Sequence, residues 1–286
     1  MTQFEDRFWT SRDGLKLHYR AYPGGDAARP PVICLHGLTR NARDFADLAD
    51  CLSPEWRVLC PELRGRGDSE YARESVSYNP VQYVEDLLAL LEQEGIARFV
   101  AVGTSLGGLM TMLLALQQPE RLAGVVLNDV GPYLEPAGLE RIKSYVGQGR
   151  SFPTWVHAAR ALEETQAIAH PGMDLPFWIG FAKRVMTLTS NGRIAFDYDM
   201  KIAEPFATLD PSNQPDLWPA VDALASRPVV VVRGALSDLL SEETLTGMIK
   251  RLPGAEAVTV PGIGHAPLLS EPPVAAAIQR LLARVS

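Results

Sequence analysis

A chain of 286 residues with 47% hydrophobic and 21% charged residues has the composition of a globular protein, and it is long enough for one α/β domain with an insertion or for two domains. Its 27 basic and 34 acidic residues give a net charge of −7 without any basic run, which excludes nucleic acid and anionic membrane as expected partners. No signal-peptide profile and no apolar stretch of about 18 residues is evident. The three cysteines are scattered, without CxxC or metal spacing, so we expect a reduced, cytoplasmic protein.

Strand-like and helix-like segments alternate in the first half of the chain. Alternating apolar and polar residues around the turn at residues 12–14 predict an opening β-hairpin, in which His18 is expected to be an ordinary strand residue. Buried-strand patterns follow at 31–35, 57–60, 99–102 and 122–129, and the amphipathic or apolar patterns between them predict helices at 41–52, 81–94 and 109–116. This alternation predicts parallel strands with helices on both faces and a functional edge at the strand carboxyl ends.

The composition changes after the strand that ends near residue 129. From residue 131 to 222 the strand-like runs disappear, and aromatic residues separated by prolines predict a helical cap. Strand patterns resume at 228–234 and 255–260, and the last helix is expected at 273–285. We therefore predict a mostly parallel central sheet of about eight strands, formed by residues 1–130 and 223–286, with the cap inserted after the sixth strand.

Ser105 stands between a predicted buried strand and a predicted helix. Gly103 and Gly107, two positions to either side, would let a sharp turn pass its neighbours without a Cβ clash, as in a nucleophile elbow. The competing interpretation is a helix N-cap, for which serine is also favoured. Partners for Ser105 elsewhere in the chain decide between the two.

Two such partners follow the last predicted strands. His265 lies in a glycine-rich loop after the final strand, and Asp238 follows the preceding strand, so both are expected at the same sheet edge as Ser105. Taken singly, His265 is typical of a surface residue and Asp238 of a helix cap. Together the three residues predict a nucleophile, a base and an orienting acid.

Two backbone groups are candidates for an oxyanion hole. The N–H of Leu106 follows Ser105, and the N–H of Leu38 lies in the turn after the third strand. His36 in that turn could act as a base, but its place in a tight turn favours a structural hydrogen bond. The charged loop at residues 61–69 lacks the lysine and helix entry of a phosphate-binding loop, so we expect it to be structural.

Several motifs together resemble the α/β-hydrolase superfamily in its capped, small-substrate branch. They are found at residues 32–37, 63–69, 103–107, 233–238 and 262–265. The resemblance implies that Ser105 is the nucleophile, His265 the base and Asp238 the acid, with Leu38 and Leu106 as oxyanion donors. Some relatives carry the acid one strand earlier, at the end of the strand that precedes the cap. Asp129 stands at that position and is the alternative acid.

Two departures restrict the substrate class. The turn at residues 36–39 is His-Gly-Leu-Thr, unlike the His-Gly-Gly-Gly of lipase-like relatives or the His-Gly-Gly-Pro-Gly of proline iminopeptidases. A serine at the elbow also disfavours haloalkane dehalogenases and epoxide hydrolases, which resemble this fold but attack with aspartate.

We therefore expect a serine hydrolase of a small, largely apolar carboxylic ester or related acyl compound, needing no metal or organic cofactor. The alternatives are a C–C bond hydrolase of a ring-cleavage product, a perhydrolase or amidase, and a capped ligand receptor with residual hydrolysis. A cap above the sheet edge would place aromatic residues on the substrate. The candidates for that pocket are Trp155, Phe177, Trp178 and Phe181.

Overall fold

A computed structural model describes residues 3–26 and 28–285, so the outer limits of the predicted core, residues 1 and 286, lie outside the described residues. The strands are β1 (Glu5–Thr10), β2 (Lys16–Tyr22), β3 (Val32–Leu35), β4 (Val58–Pro61), β5 (Phe99–Thr104), β6 (Leu122–Asn128), β7 (Ser151–Phe152), β8 (Met186–Leu188), β9 (Ile194–Phe196), β10 (Val229–Gly234) and β11 (Glu256–Val260). The helices are α1 (Ala46–Leu52), α2 (Pro80–Gln93), α3 (Leu106–Gln117), α4 (Pro136–Tyr145), α5 (Trp155–Gln166), α6 (Leu175–Val185), α7 (Ala203–Ala207), α8 (Trp218–Ala223), α9 (Glu242–Arg251) and α10 (Pro272–Leu282).

One sheet joins eight of these strands in the order β1-β2-β4-β3-β5-β6-β10-β11. The pairs β1–β2 and β2–β4 are antiparallel, and the pairs from β4 to β11 are parallel. The predicted α/β class and the mostly parallel sheet are therefore confirmed. Because β3, β5, β6, β10 and β11 run the same way, the loops after them meet at one edge.

The buried strands divide their side chains between two hydrophobic clusters. In β5, Phe99 and Ala101 belong to a cluster that includes α2, α3 and α8, whereas Val100 and Val102 belong to one that includes α1 and α10. This period of two in a continuously apolar strand is expected when helices cover both faces of a parallel sheet.

The segment between β6 and β10 adds none of its described strands to the central sheet. Its helices α5 and α6 pack around Trp178 in a cluster of their own. The prediction that this segment lacks strands is wrong, because β7, β9 and β8 form a small antiparallel sheet. In addition, Ala220 and Val221 of α8 are buried in the core cluster, although the predicted cap limit at residue 222 places them in the cap.

Within the described residues, no helix is both long and apolar enough to span a bilayer.

The loop after β4 makes a dense set of internal hydrogen bonds. The Glu62 carboxylate accepts hydrogen bonds from the backbone N–H groups of Ala42 and Asp68, and the fully buried Arg64 pairs with Asp86. These contacts tie the loop to its neighbours, in agreement with a structural role.

His18 is more than an ordinary strand residue. It is 1% exposed, and its ring nitrogens lie 2.8 Å from a Glu62 oxygen and 2.9 Å from an Asp6 oxygen. Burial lowers the pKa of His18, but Glu62 and Asp6 outweigh it and raise the pKa above 6.5. Burial likewise opposes the effect of His18 on Glu62, whose pKa is nonetheless lowered below 4.5.

These shifts predict a pH-dependent contribution to folding. The His18 contribution is complete below pH 6.5 and is lost as the pH rises through the folded pKa, while the Glu62 contribution is complete above pH 4.5 and is lost on acidification through its folded pKa. His18→Gln should therefore lower the free energy of unfolding by about 1–3 kcal/mol near pH 5.5 and by less near pH 9. Urea unfolding at both pH values measures this, with the exposed His157→Gln as control. A loss of equal size at both pH values would contradict the prediction.

Candidate active site

Ser105 occupies a sharp turn between β5 and α3. Its backbone angles, φ 51° and ψ −113°, are strained for a residue with a side chain. A Cβ on Gly103 would lie 2.5 Å from the carbonyl carbon of Gly107, and one on Gly107 would lie 2.0 Å from the Leu35 oxygen. Only glycine fits at either position, so strand and helix approach closely and Ser105 is held at the edge of the sheet.

A continuous chain of hydrogen bonds runs from Ser105 to a buried carboxylate. The Oγ of Ser105 lies 3.0 Å from Nε2 of His265, and Nδ1 of His265 lies 2.7 Å from Oδ2 of Asp129. Asp129 is fully buried and directly follows β6, whereas His265 lies between β11 and α10. With the carboxylate accepting from Nδ1–H, Nε2 is free to accept the Ser105 hydroxyl proton.

The preference for Asp238 as the partner of His265 is wrong. Asp238 instead forms an ion pair with Arg141 of α4, with Nη2 2.8 Å from Oδ1. Burial raises the pKa of Asp238, but the hydrogen bonds and charge of Arg141 outweigh this and lower the pKa below 3.8. Asp238 lies four residues beyond the end of β10. At that distance its carboxylate contacts Arg141 of the inserted segment rather than His265.

The end of β10 and the loop after it hold Asp129 in position instead of supplying the acid. The backbone N–H of Gly234 donates to Asp129 Oδ1 at 2.8 Å, and the Ser237 hydroxyl donates to Oδ2 at 2.6 Å. Together with the His265 ring, these donors fix the orientation of the carboxylate.

Asn128, which the sequence did not single out, ties the elbow to the histidine loop. Its Nδ2 donates to Thr104 Oγ1 at 3.0 Å and to the Pro267 carbonyl at 2.9 Å. Asn128, directly before Asp129, therefore joins Thr104, directly before Ser105, to the segment that follows His265. Its position at the end of a predicted strand, next to Asp129, was the available signal.

The turn after β3 lies against Ser105. A Cβ on Gly37 would be 3.8 Å from the Cβ of Ser105. The ring of His36 donates from Nδ1 to the Gly37 carbonyl and accepts at Nε2 from the N–H of Leu63, and burial lowers the pKa of His36 to about 4. A neutral imidazole with a hydrogen bond at each ring nitrogen fits the structural role expected for His36.

The two candidate oxyanion donors lie in the turn after β3 and at the start of α3. Leu38 follows Gly37, and the Leu38 carbonyl accepts a hydrogen bond from the buried Arg66 at 2.9 Å, which fixes the turn. Leu106 is the first residue of α3, where backbone N–H groups have no partner within the helix and the helix dipole is positive. The placement of both residues is compatible with the expected donor role.

A cavity opens beside Ser105 and His265 between the core and the inserted segment. Of the four aromatic residues expected to line it, only Phe181 does so. Trp178 is 1% exposed inside the cluster of α5 and α6, and Trp155 and Phe177 pack against that cluster, so these three assignments are wrong. These three aromatic residues stabilise the insertion, because an amphipathic helix such as α6 packs its apolar face against its neighbours. Their side chains are therefore used in that packing and not in the cavity wall.

Sequence reasoning missed the polar lining of the cavity. This lining includes Arg40, Asp44, Tyr145, Arg150, Gln166 and His170. Arg40 directly follows the turn at residues 36–39, which was a usable signal. The others lie in the inserted segment or in a helical turn, where no local pattern separates them from surface residues.

Comparison with known proteins gives a consistent result. A family model described as alpha/beta hydrolase fold matches residues 30–272. A 3-hydroxybutyrate-oligomer hydrolase of Cupriavidus necator is 36% identical over 266 residues, which cover 90% of this chain and 90% of that protein. An esterase of Mycobacterium tuberculosis is 29% identical over 239 residues, or 80% of this chain and 73% of the relative.

A solved structure extends the match across nearly the whole chain. The crystal structure of an alpha/beta hydrolase from Novosphingobium aromaticivorans has 62% sequence identity, covers 99% of both chains and superposes with a TM-score of 0.94. Its match spans the inserted segment as well as the sheet.

The close approach at the elbow predicts a large effect of a single methyl group. Gly107→Ala places a Cβ against the Leu35 carbonyl and should lower the free energy of unfolding by about 1–3 kcal/mol or more. Gly180→Ala is the matched control, because a Cβ there meets nothing within 4 Å in α6 and should add up to about 1 kcal/mol. Denaturant unfolding of both variants checks this, and equal stability would show that the elbow is not tightly packed.

Proposed function

Because the chain belongs to the α/β-hydrolase family, we propose that it is a serine hydrolase whose triad is Ser105, His265 and Asp129. One observation carries the proposal: the unbroken hydrogen bonds from the Ser105 hydroxyl through the imidazole to the Asp129 carboxylate. A helix cap would need no such partners. Ser105 in fact makes no side-chain capping hydrogen bond to α3.

The triad performs acyl transfer in two steps. In the first, Ser105 Oγ attacks the carbonyl carbon while His265 Nε2 takes its proton, and the same nitrogen then returns the proton to the leaving alcohol. In the second, His265 deprotonates a water molecule that attacks the acyl-enzyme, and the imidazolium then returns the proton to Ser105 Oγ as the acid is released. Asp129 holds the imidazole in the required tautomer and stabilises the imidazolium form.

The backbone N–H groups of Leu38 and Leu106 supply the oxyanion hole in this mechanism. Charge develops on the carbonyl oxygen as the tetrahedral intermediate forms, and fixed donors stabilise it without reorganisation. Support comes from the position of Leu106 at the amino end of α3 and from the closeness of the Gly37 turn to Ser105.

The substrate class that fits best is a small carboxylic ester. Apolar residues of the insertion, including Phe152, Leu162 and Phe181, line the cavity together with Ser105 and His265. The Cupriavidus relative is named for an oligomer of a hydroxy acid, whose units are joined by ester bonds, and the mycobacterial relative is named an esterase. Neither step of the proposed mechanism requires a metal or an organic cofactor.

Replacement of the two aspartates tests the triad. Asp129→Asn removes the charge that fixes the His265 tautomer, so kcat for a short-chain p-nitrophenyl ester should fall by about 10³–10⁴-fold. Asp238→Asn weakens only the ion pair with Arg141, so its kcat should stay within a few-fold of the native value.

Ser105→Ala sets the baseline for this comparison and should be at least about 10⁴-fold less active. Circular dichroism checks that each variant is folded. A larger loss in Asp238→Asn than in Asp129→Asn would reject the assigned acid, and an active Ser105→Ala would reject the function.

A further inference from the structure

The cavity beside Ser105 differs in charge from the protein as a whole. The chain has a net charge of −7, yet apart from histidines the ionisable charges lining the cavity at neutral pH are those of Arg40, Arg150 and Asp44. Asp44 is already paired with Arg40, so the lining carries an excess positive charge. Such a pocket in an acidic protein favours an anionic ligand.

Arg40 is held rigidly at the wall of this cavity. Its Nε and Nη2 donate to the two oxygens of Asp44 at 2.6 and 2.7 Å, and its guanidinium carbon lies 4.3 Å from the centroid of the Phe181 ring. Among the described residues, no hydrogen bond is made by Nη1. The guanidinium is therefore preorganised and keeps a donor edge for a ligand.

His170 contacts the same aromatic ring from the inserted segment. It is 3% exposed, its ring centroid lies 5.5 Å from that of Phe181, and its Nδ1 is buried without a hydrogen-bond partner in the described part of the chain. Burial, together with the charges of Arg40 and His265, lowers the pKa of His170 to about 4. The imidazole is consequently neutral near pH 7, with one donor and one acceptor, and a buried nitrogen without a partner costs free energy until a ligand or water satisfies it.

Resting on the proposed ester hydrolysis, we propose that Arg40 and His170 form a subsite for a free carboxylate on the substrate, remote from the ester bond held at Ser105. Both side chains contact Phe181, and they carry a charged and a neutral donor, which suits the two oxygens of one carboxylate. Arg150, exposed at the cavity lining, adds to the attraction. The preferred substrates are thus esters of hydroxy acids or half-esters of dicarboxylic acids, rather than wholly apolar esters.

Two pairs of esters separate a carboxylate from a neutral group of the same shape. Monomethyl glutarate and its terminal carboxamide vary the acyl part, and 3-acetoxypropanoate and 3-acetoxypropanamide vary the alcohol part. Proton NMR follows acid release for all four. In at least one pair the native protein should show a kcat/KM about 10-fold or more higher for the carboxylate than for the amide.

Two variants assign this preference to the subsite. Arg40→Gln combined with Asp44→Asn removes the cation and its partner without changing the net charge, and His170→Phe keeps the ring contacts while removing both nitrogens. Each should lower kcat/KM for the preferred carboxylate ester by about 10-fold or more, mainly through KM, and change that for the matching amide by less than about 3-fold.

The outcomes distinguish the subsite from the chemistry. Turnover that depends on Ser105 but shows no preference for carboxylate in either pair would overturn the subsite and leave the hydrolase intact. Equal losses on both members of a pair in the two variants would also overturn it, because they would reveal a packing role. If no ester is turned over in a Ser105-dependent way, both the subsite and the proposed function fail.

Discussion

The hydrogen bond between Asp129 and His265 joins residues 136 positions apart in the chain, and the geometry of the site depends on it. Asp129 is available because it directly follows β6, and it is held by the Gly234 N–H and the Ser237 hydroxyl from the loop after β10. Asn128, one residue earlier, reaches both Thr104 and the Pro267 carbonyl. The ends of β5, β6, β10 and β11 are thus fastened to one another at the atoms that position Ser105 and His265.

This arrangement follows from the physics of a parallel sheet. Parallel strands deliver their carboxyl ends to one edge, and helices on both faces leave that edge as the open side. The cost is local strain at Ser105, whose φ of 51° is maintained by the close contacts of Gly103 and Gly107 with buried backbone. The inserted segment then covers the edge and supplies the walls of the cavity.

The sequence predicted the sheet and the elbow well because their signals are local. Apolar strand runs, helical periodicity and flanking glycines each occupy a few adjacent residues, and β5, Ser105 and α3 lie where these patterns indicate. The choice between Asp129 and Asp238 was different, because both follow buried strands and only the three-dimensional path of the β10 loop brings Ser237 to Asp129 and Asp238 to Arg141.

The inserted segment was harder to predict for the same reason. Two- and three-residue strands such as β7 leave no periodic pattern, and an aromatic residue has the same sequence signal whether it fills the insertion, as Trp178 does, or lines the cavity, as Phe181 does. The polar residues Arg40 and His170 become a pair only through their shared contact with that ring. The proposed substrate recognition therefore depends on packing between segments, whereas the geometry of the elbow depends on adjacent residues.

Covalent labelling tests the central claim most directly. Diethyl p-nitrophenyl phosphate should transfer one diethylphosphoryl group to Ser105 Oγ with release of one equivalent of p-nitrophenol, because in the proposed triad Asp129 and His265 activate that hydroxyl alone. Intact mass measurement and peptide mapping of the native protein and of Ser105→Ala would locate the group. We predict a single adduct on Ser105 that is lost in the variant, whereas stoichiometric labelling at another residue, or equal labelling of Ser105→Ala, would contradict the account.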